Sequence, residues 1–181
     1  MYKTEQEKFW QGDFGDNYIH RNKKKFLIKN NFFLFKKIFS NFFKIKSLIE
    51  FGPNIGLNII ALKKIFKLNL ITAVEINKNA CSQIEDIKKI NIINDSIINF
   101  SSKKKYDLVL VKGVLIHINP TKLKKVYNTI YKSCKTDGYI LIAEYYSPKP
   151  TMMIYRGKRN KLFIRDFAGE FVSLFKKTKI V

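Results

Sequence analysis

Three acidic residues and a glycine-bearing turn recur at spacings that suit a nucleoside ligand. Glu50-Phe51-Gly52-Pro53-Asn54-Ile55-Gly56 places a carboxylate and two glycines between an apolar strand and a helix marked by Ile55, Ile59, Leu62 and Phe66. Glycine lets backbone approach a ligand closely, and the helix N-terminus behind it favours negative charge. Glu75 follows about 20 residues after the turn, where an acid can accept the hydroxyls of a ribose. Asp95, in Asn94-Asp95-Ser96, could accept the exocyclic amine of adenine. The turn lacks the third glycine of the dinucleotide fingerprint and the Gly-Lys-Ser/Thr of a phosphate loop. On these residues alone, a tight turn beside a strand-end acid stays open as the alternative.

His117 is the one good candidate for a proton acceptor. It sits in Lys112-Gly113-Val114-Leu115-Ile116-His117-Ile118-Asn119-Pro120, and an imidazole with its ordinary pKa of about 6.5 can take a proton near neutral pH. It could equally be a structural hydrogen-bonder ahead of the Asn119-Pro120 cap. Arg156, Arg159, Lys161 and Arg165 cluster late in the chain and read either as a site for an anionic substrate or as a solvated basic loop. Tyr145 and Tyr146 are expected to line the same cleft. Trp10, Phe14 and Tyr18 could close over a ligand or simply pack the N-terminal segment down. Cys81 and Cys134 fall on expected helices and read as buried free thiols. Two cysteines and two histidines make neither a disulfide framework nor a zinc pattern.

The elements that must position these groups alternate. Residues 1–25 read as an irregular lead-in. Ile28, Phe32, Phe35, Phe39 and Phe42, at spacings of three and four, predict an amphipathic helix over 26–45 that packs on a core. Strands are expected at Ser47–Phe51, Leu70–Ile76, Ile92–Asn94, Asp107–Lys112 and Tyr139–Glu144. Helices fall between them, the last starting at Asn119-Pro120. Alternation of this kind predicts a parallel sheet with helices on both faces and a ligand at the carboxyl ends of the strands. Residues 1–45 then form a lead-in and helix packed on a domain of 46–181.

Acids after the first and second strands, Asp95 after the third and a Tyr106-Asp107-Leu108-Val109 fourth strand resemble the layout of the class I S-adenosylmethionine-dependent methyltransferases. Longer strings sharpen the likeness. Thr4-Glu5-Gln6, Phe9-Trp10, Gly12-Asp13-Phe14-Gly15, Arg21-Asn22, Gly52–Asn58, Val74–Asn77, Lys112–Pro120, Ile142–Tyr146, Tyr155-Arg156-Gly157 and Arg165–Glu170 are similar to the pseudaminic-acid-biosynthesis-associated methylases. The resemblance covers nearly the whole chain. It implies a Rossmann-like α/β fold, S-adenosyl-L-methionine as cofactor and an acceptor that is an acidic sugar or sugar nucleotide of surface-glycan synthesis. The cofactor site so implied takes in Tyr18, Arg21, Glu50, Gly52, Asn54, Gly56, Glu75, Ile76, Asp95, Ser96 and Lys112, with Arg21 on the carboxylate of the methionine end. The implied substrate side takes in Tyr145, Tyr146, Arg156, Lys161 and Arg165, with His117 as base. Such a sheet normally ends with two further strands, the last antiparallel beside the fifth. Residues 176–181 supply at most the start of a sixth, so the sheet reads as truncated and its fifth strand as an open edge.

The 181 residues suit one domain with a single core, and 46% hydrophobic content excludes a disordered tail. Neither a signal peptide at Met1–Lys8 nor an apolar run long enough to span a membrane is evident, so a cytoplasmic protein is expected. The net charge of +21 suggests a polyanion partner, with RNA binding or RNA methylation as the alternative function. Of 35 basic residues only four are arginine, and the lysines are spread along the chain. That pattern fits compositional drift of an AT-rich coding sequence better than a nucleic-acid surface, which tends to use arginine.

Overall fold

A computed structural model describes residues 4–22, 25–41 and 44–181. Phe42, counted above on the face of the first long helix, and Met1–Lys3 of the N-terminus lie outside the described residues. The N-terminal segment is helical: α1 (Glu5–Gln11), α2 (Asp13–Arg21) and α3 (Lys25–Ile38). The core domain runs β1 (Ser47–Phe51), α4 (Leu57–Lys63), β2 (Leu70–Glu75), α5 (Lys78–Glu85), β3 (Asn91–Asn94), β4 (Tyr106–Lys112), α6 (Leu123–Ser133) and β5 (Cys134–Ala143). It ends in β6 (Thr151–Tyr155), β7 (Lys158–Ile164) and α7 (Phe167–Leu174).

The five-stranded sheet has the order β3-β2-β1-β4-β5 and all its pairs are parallel. Parallel strands are covered on both faces, so their side chains alternate between two apolar layers. Leu48, Leu108 and Leu110 pack with Phe35 and Phe39, Ile59 and Leu62 of α4, and Ile84 of α5. Ile49, Phe51, Val109 and Val111 pack with Val126, Tyr127 and Ile130 of α6, Leu162 of β7 and Phe167 and Phe171 of α7. Strand order reverses between β1 and β4. That switch point opens a crevice at the carboxyl ends of the strands, and part of the expected site set lines it.

Several expectations change. The lead-in is two helices because Thr4 and Glu7 form a capping box, each side chain bonding the other's backbone amide. Gly12 sits at the α1–α2 corner and Gly15 in the first turn of α2. Gly15 is required there, since a Cβ would clash with the Trp10 carbonyl oxygen. The helix expected over 26–45 stops at Ile38. β5 begins at Cys134, so that residue is on a strand and not a helix; the Asp137-Gly138 turn survives as a bulge between the Tyr106 and Leu108 register positions. Both cysteines are buried and unpaired. The late basic segment is an antiparallel hairpin, β6–β7, turned by Arg156-Gly157 with both residues at positive φ. No strand pairs with the outer side of β5 among the described residues, and residues 179–181 form no strand. Among the described residues, no helix is long and apolar enough to cross a membrane.

The amino ends of the central strands are stapled by Asp107. Its Oδ2 accepts from the Lys46 and Ser47 amides and the Ser47 hydroxyl at 2.8–2.9 Å, and its Oδ1 meets Lys135 Nζ at 2.8 Å. Desolvation opposes ionisation, but Lys135 and these donors outweigh it and hold the carboxyl down at about 2. A carboxyl lowered on folding contributes stability above its unfolded pKa and loses it as pH falls through about 2. Asp107→Ala should therefore cost about 1.5–3 kcal/mol at pH 7, the scale of hydrogen bonds to a charged group. In urea denaturation the gap between wild type and variant should shrink from pH 4 to pH 2.

Candidate active site

A cavity of about 730 Å³ lies over the carboxyl ends of the strands, within the size range of small-molecule and cofactor sites. Its floor is the turn between β1 and α4. Gly52 and Gly56 there adopt φ of +68° and +78°, so the chain reverses and presents the Asn54 amide to the end of β2. Glu75 closes that strand. Its Oε2 accepts from Asn54 N at 2.8 Å and its Oε1 from Asn77 N at 2.9 Å. Burial pushes its carboxyl up, against the pull of these amides. A carboxylate has about four lone-pair directions, so each oxygen can still accept from a ligand hydroxyl. Beyond it, Ile76, Asp95, Ser96 and Ile97 line the wall. Asp95 Oδ1 accepts from the Ser96 amide at 2.7 Å, which sets the side chain at the cavity edge.

The opposite wall comes from the ends of β4 and β5: Lys112, Gly113, Val114, His117, Glu144 and Tyr145. Gly113 has φ of +69° and nothing within 4 Å of where a Cβ would stand, so bare backbone faces the open space. The roof is α1 and α2, with Trp10 and Tyr18 on the cavity. Asn77 clamps it. Its Nδ2 donates to Asp16 Oδ1 at 2.7 Å and to the Trp10 and Gln11 carbonyls at 3.3 Å, while its Oδ1 caps α5 through Ala80 N. Asn119 Nδ2 to Gln6 Oε1, and Gln6 Nε2 to the Asn160 carbonyl, tie the roof to the β4 loop and the hairpin.

Of the residues singled out in the sequence, the cavity brings together Tyr18, Gly52, Asn54, Glu75, Ile76, Asp95, Ser96, Lys112, His117, Tyr145 and Arg156. Glu50 stands behind the turn. It is 1% exposed, accepts from Asn58 Nδ2 at 2.7 Å and is pushed up to about 7 by burial. Gly56 starts α4 away from the lining, held by Ile84 and Ile87. Arg21 does not line the cavity; its guanidinium stacks on Phe14 and Tyr18 at 5.3 and 5.4 Å, with Nη1 buried and unpaired. The expected substrate contacts at Lys161 and Arg165 give way to internal ion pairs. Lys161 Nζ meets Glu5 at 3.1 Å and Arg165 Nη1 meets Glu170 at 3.2 Å, which turns both away from the cavity. Tyr146 is 70% exposed and outside the lining.

Four residues of the site went unread as such: Glu144, Asn77, Gln6 and Tyr155. Glu144 had a usable signal, an acid ending the fifth strand as Glu50 and Glu75 end the first and second. The others are placed by contacts between distant segments. His117 also differs from its expected behaviour. It is 7% exposed, packed at a tilt against Trp10 and Tyr155 at centroid distances of 4.6 and 4.8 Å, and its Nδ1 lies 2.6 Å from the Lys161 carbonyl. A carbonyl only accepts, so Nδ1 carries the proton. Desolvation lowers the ring to about 4.

Residues 19–179 match the methyltransferase domain family. No curated protein matches the sequence significantly. Among solved structures, a SAM-dependent methyltransferase from Leishmania major superposes with a TM-score of 0.72 at 12% identity, over 93% of this chain and 70% of that one. The DhpI–SAH complex gives 0.66 at 8%, over 94% and 84%. DesVI of Streptomyces venezuelae gives 0.61 at 11%, over 81% and 66%. At such identities the likeness is one of fold, and the chain spans just under two thirds of the length of DesVI.

Two outcomes follow from the geometry. In NMR titration the His117 ring should stay neutral from pH 8 to about 5 and protonate near 4. The unfolded ring takes its proton near 6.5, so wild type should lose stability relative to His117→Gln as pH falls from 6.5 through about 4. Gly15→Ala should force α2 away from the Trp10 carbonyl and shift the fluorescence of the protein's single tryptophan, while far-UV dichroism of the sheet domain persists.

Proposed function

We propose that this chain, which belongs to the methyltransferase domain family, binds S-adenosyl-L-methionine in the cavity and passes its methyl group to a small-molecule acceptor. The observation that carries this reading is Glu75: a buried carboxylate at the end of β2, oriented by two backbone amides and open to the cavity beside the Gly52–Gly56 turn. Carboxylate oxygens so fixed suit the paired hydroxyls of a ribose. Asp95 and the Ile76–Ile97 wall suit an adenine ring, through an acceptor for its amine and apolar faces for its plane. Tyr18 and Trp10 cover the site, and Lys112 brings positive charge to its β4 wall.

When bound, the cofactor supplies a methyl group on a sulfonium, an excellent leaving group that needs no acid. The chain's own task is positioning, and effective molarities of about 10⁵–10⁸ M show how much alignment alone can contribute. The roof of α1 and α2, clamped by Asn77 and tied to the β4 loop by Asn119, covers the space between β4 and the hairpin. Gly113 leaves room there for an acceptor, and Arg156 and Tyr145 stand at the rim. The finer reading is a sugar or sugar-nucleotide acceptor of surface-glycan synthesis. Its support is the resemblance of the sequence strings to the pseudaminic-acid-associated methylases, together with Arg156 and Lys112 as cations for an acidic group.

Glu75→Gln keeps the volume and one acceptor oxygen but removes the charge. With hydrogen bonds to a charged group worth about 1.5–3 kcal/mol, the variant should bind S-adenosylhomocysteine at least about tenfold more weakly in calorimetric titration. Unchanged affinity would remove Glu75 from the cofactor site.

A further inference from the structure

His117 and Glu144 are the proton acceptors on the wall formed by the ends of β4 and β5, and their surroundings differ. His117 has its Nδ1–H committed to the Lys161 carbonyl and its ring packed between Trp10 and Tyr155. Glu144 follows the last residue of β5. Its Oε1 accepts from the Val114 and Leu115 amides at 2.8 and 2.9 Å, which fixes the carboxyl plane across the ends of β4 and β5. Its Oε2 is buried and has no hydrogen-bond partner, and the residue lines the cavity. A buried carboxylate oxygen without a donor calls for an explanation, and a ligand that brings the donor is one.

We infer that Glu144 Oε2 receives the acceptor's nucleophile, and that this nucleophile is an amine arriving as an ammonium ion. The inference rests on the methyltransferase reading and names the class of its acceptor atom. An ammonium supplies both the missing donor and the opposite charge. The rings of Trp10, Tyr18 and Tyr155 around the same cavity offer faces that attract a cation. A hydroxyl would supply a donor but no charge, and its proton is far too weakly acidic to pass to a carboxylate before reaction. Burial pushes Glu144 up to about 7, against the Val114, Leu115 and Ile116 amides and Lys112, and so into the range of an effective base at neutral pH. Lys112 at the end of β4 is the cation that bears on it; neutral His117, Tyr145 and exposed Arg156 lie on the same cavity.

In the step so assigned, R–NH₃⁺ gives one proton to Oε2, which becomes a neutral carboxyl, and the amine keeps its lone pair. When the cofactor is bound, that pair forms the new N–C bond as the C–S bond breaks, and the sulfur retains the bonding electrons. The product is R–NH₂CH₃⁺, and Glu144 returns its proton to solvent.

Sinefungin, in which an amine-bearing carbon replaces the methylated sulfonium, places an ammonium at the transfer position. It should bind wild type at least about tenfold more tightly than neutral S-adenosylhomocysteine at pH 7.5. Glu144→Gln can still accept from Val114 and Leu115 through its amide oxygen, but it puts an NH₂ group where Oε2 stood. It should keep the affinity for S-adenosylhomocysteine and lose the preference for sinefungin. A preference that survives in Glu144→Gln, or that is absent from wild type, overturns the inference and leaves the cofactor reading intact. Failure of wild type to bind either ligand overturns the cofactor reading and the inference with it. Should the variant not fold, the wild type alone decides. Its ratio of the two affinities should rise about tenfold between pH 5.5 and 8.5 with a midpoint near 7, and a flat ratio sinks the inference.

Discussion

The contact between the Glu75 carboxylate and the backbone amides of Asn54 and Asn77 holds the functional end of this molecule together. One oxygen reaches forward to the glycine turn and the other back to the start of α5. The turn therefore cannot relax without exposing a buried charge, and Asn77 is held where its own side chain can grip both α1 and α2. Burying a carboxylate costs free energy unless donors surround it, and here the donors are parts of the site. Glu50 and Glu144 repeat the arrangement at the ends of β1 and β5, each with one oxygen satisfied and one buried without a partner. Acids concentrated at this edge stand out in a chain of +21.

The opposite edge works differently. Asp107 is satisfied on both oxygens, by Lys46, Ser47 and Lys135, and offers nothing to a ligand. A carboxylate thus serves stability at one end of the strands and binding at the other. The difference is the number of acceptor directions left unfilled. The basic hairpin follows the same logic, because Lys161 and Arg165 are consumed by Glu5 and Glu170 and only Arg156 faces the cavity.

The parts of the fold that were legible in the sequence are those fixed by local pattern. Apolar runs such as Leu108–Val111 announce buried parallel strands, and the acids at Glu50 and Glu75 mark their ends. The turn, its glycines and the floor of the cavity followed from short-range spacing. The roof did not, because residues 1–25 read as an irregular lead-in, while Thr4 and Glu7 build a capping box around a helix too short to show much periodicity. The β6–β7 hairpin was missed for a related reason: Thr151–Tyr155 is mostly exposed and has no alternation to read. The pairing of Lys161 with Glu5 joins opposite ends of the chain, and no local rule reports such a contact.

The roof's bonds also have a kinetic meaning. Gln6 to Asn160 and Asn119 to Gln6 close loops of more than a hundred residues, whereas the sheet assembles from neighbouring strand–helix units. Loop-closure entropy makes such distant contacts late to form, and segments held by few buried contacts open at the lowest cost in the native state. Helices α1 and α2 are then late to dock, since their partners at Asn160 and Lys161 lie far downstream in the chain. Hydrogen exchange read along the chain would show the same ranking, with α1 and α2 exchanging ahead of β1 and β4. The segment that is cheapest to release is the one that covers the cavity.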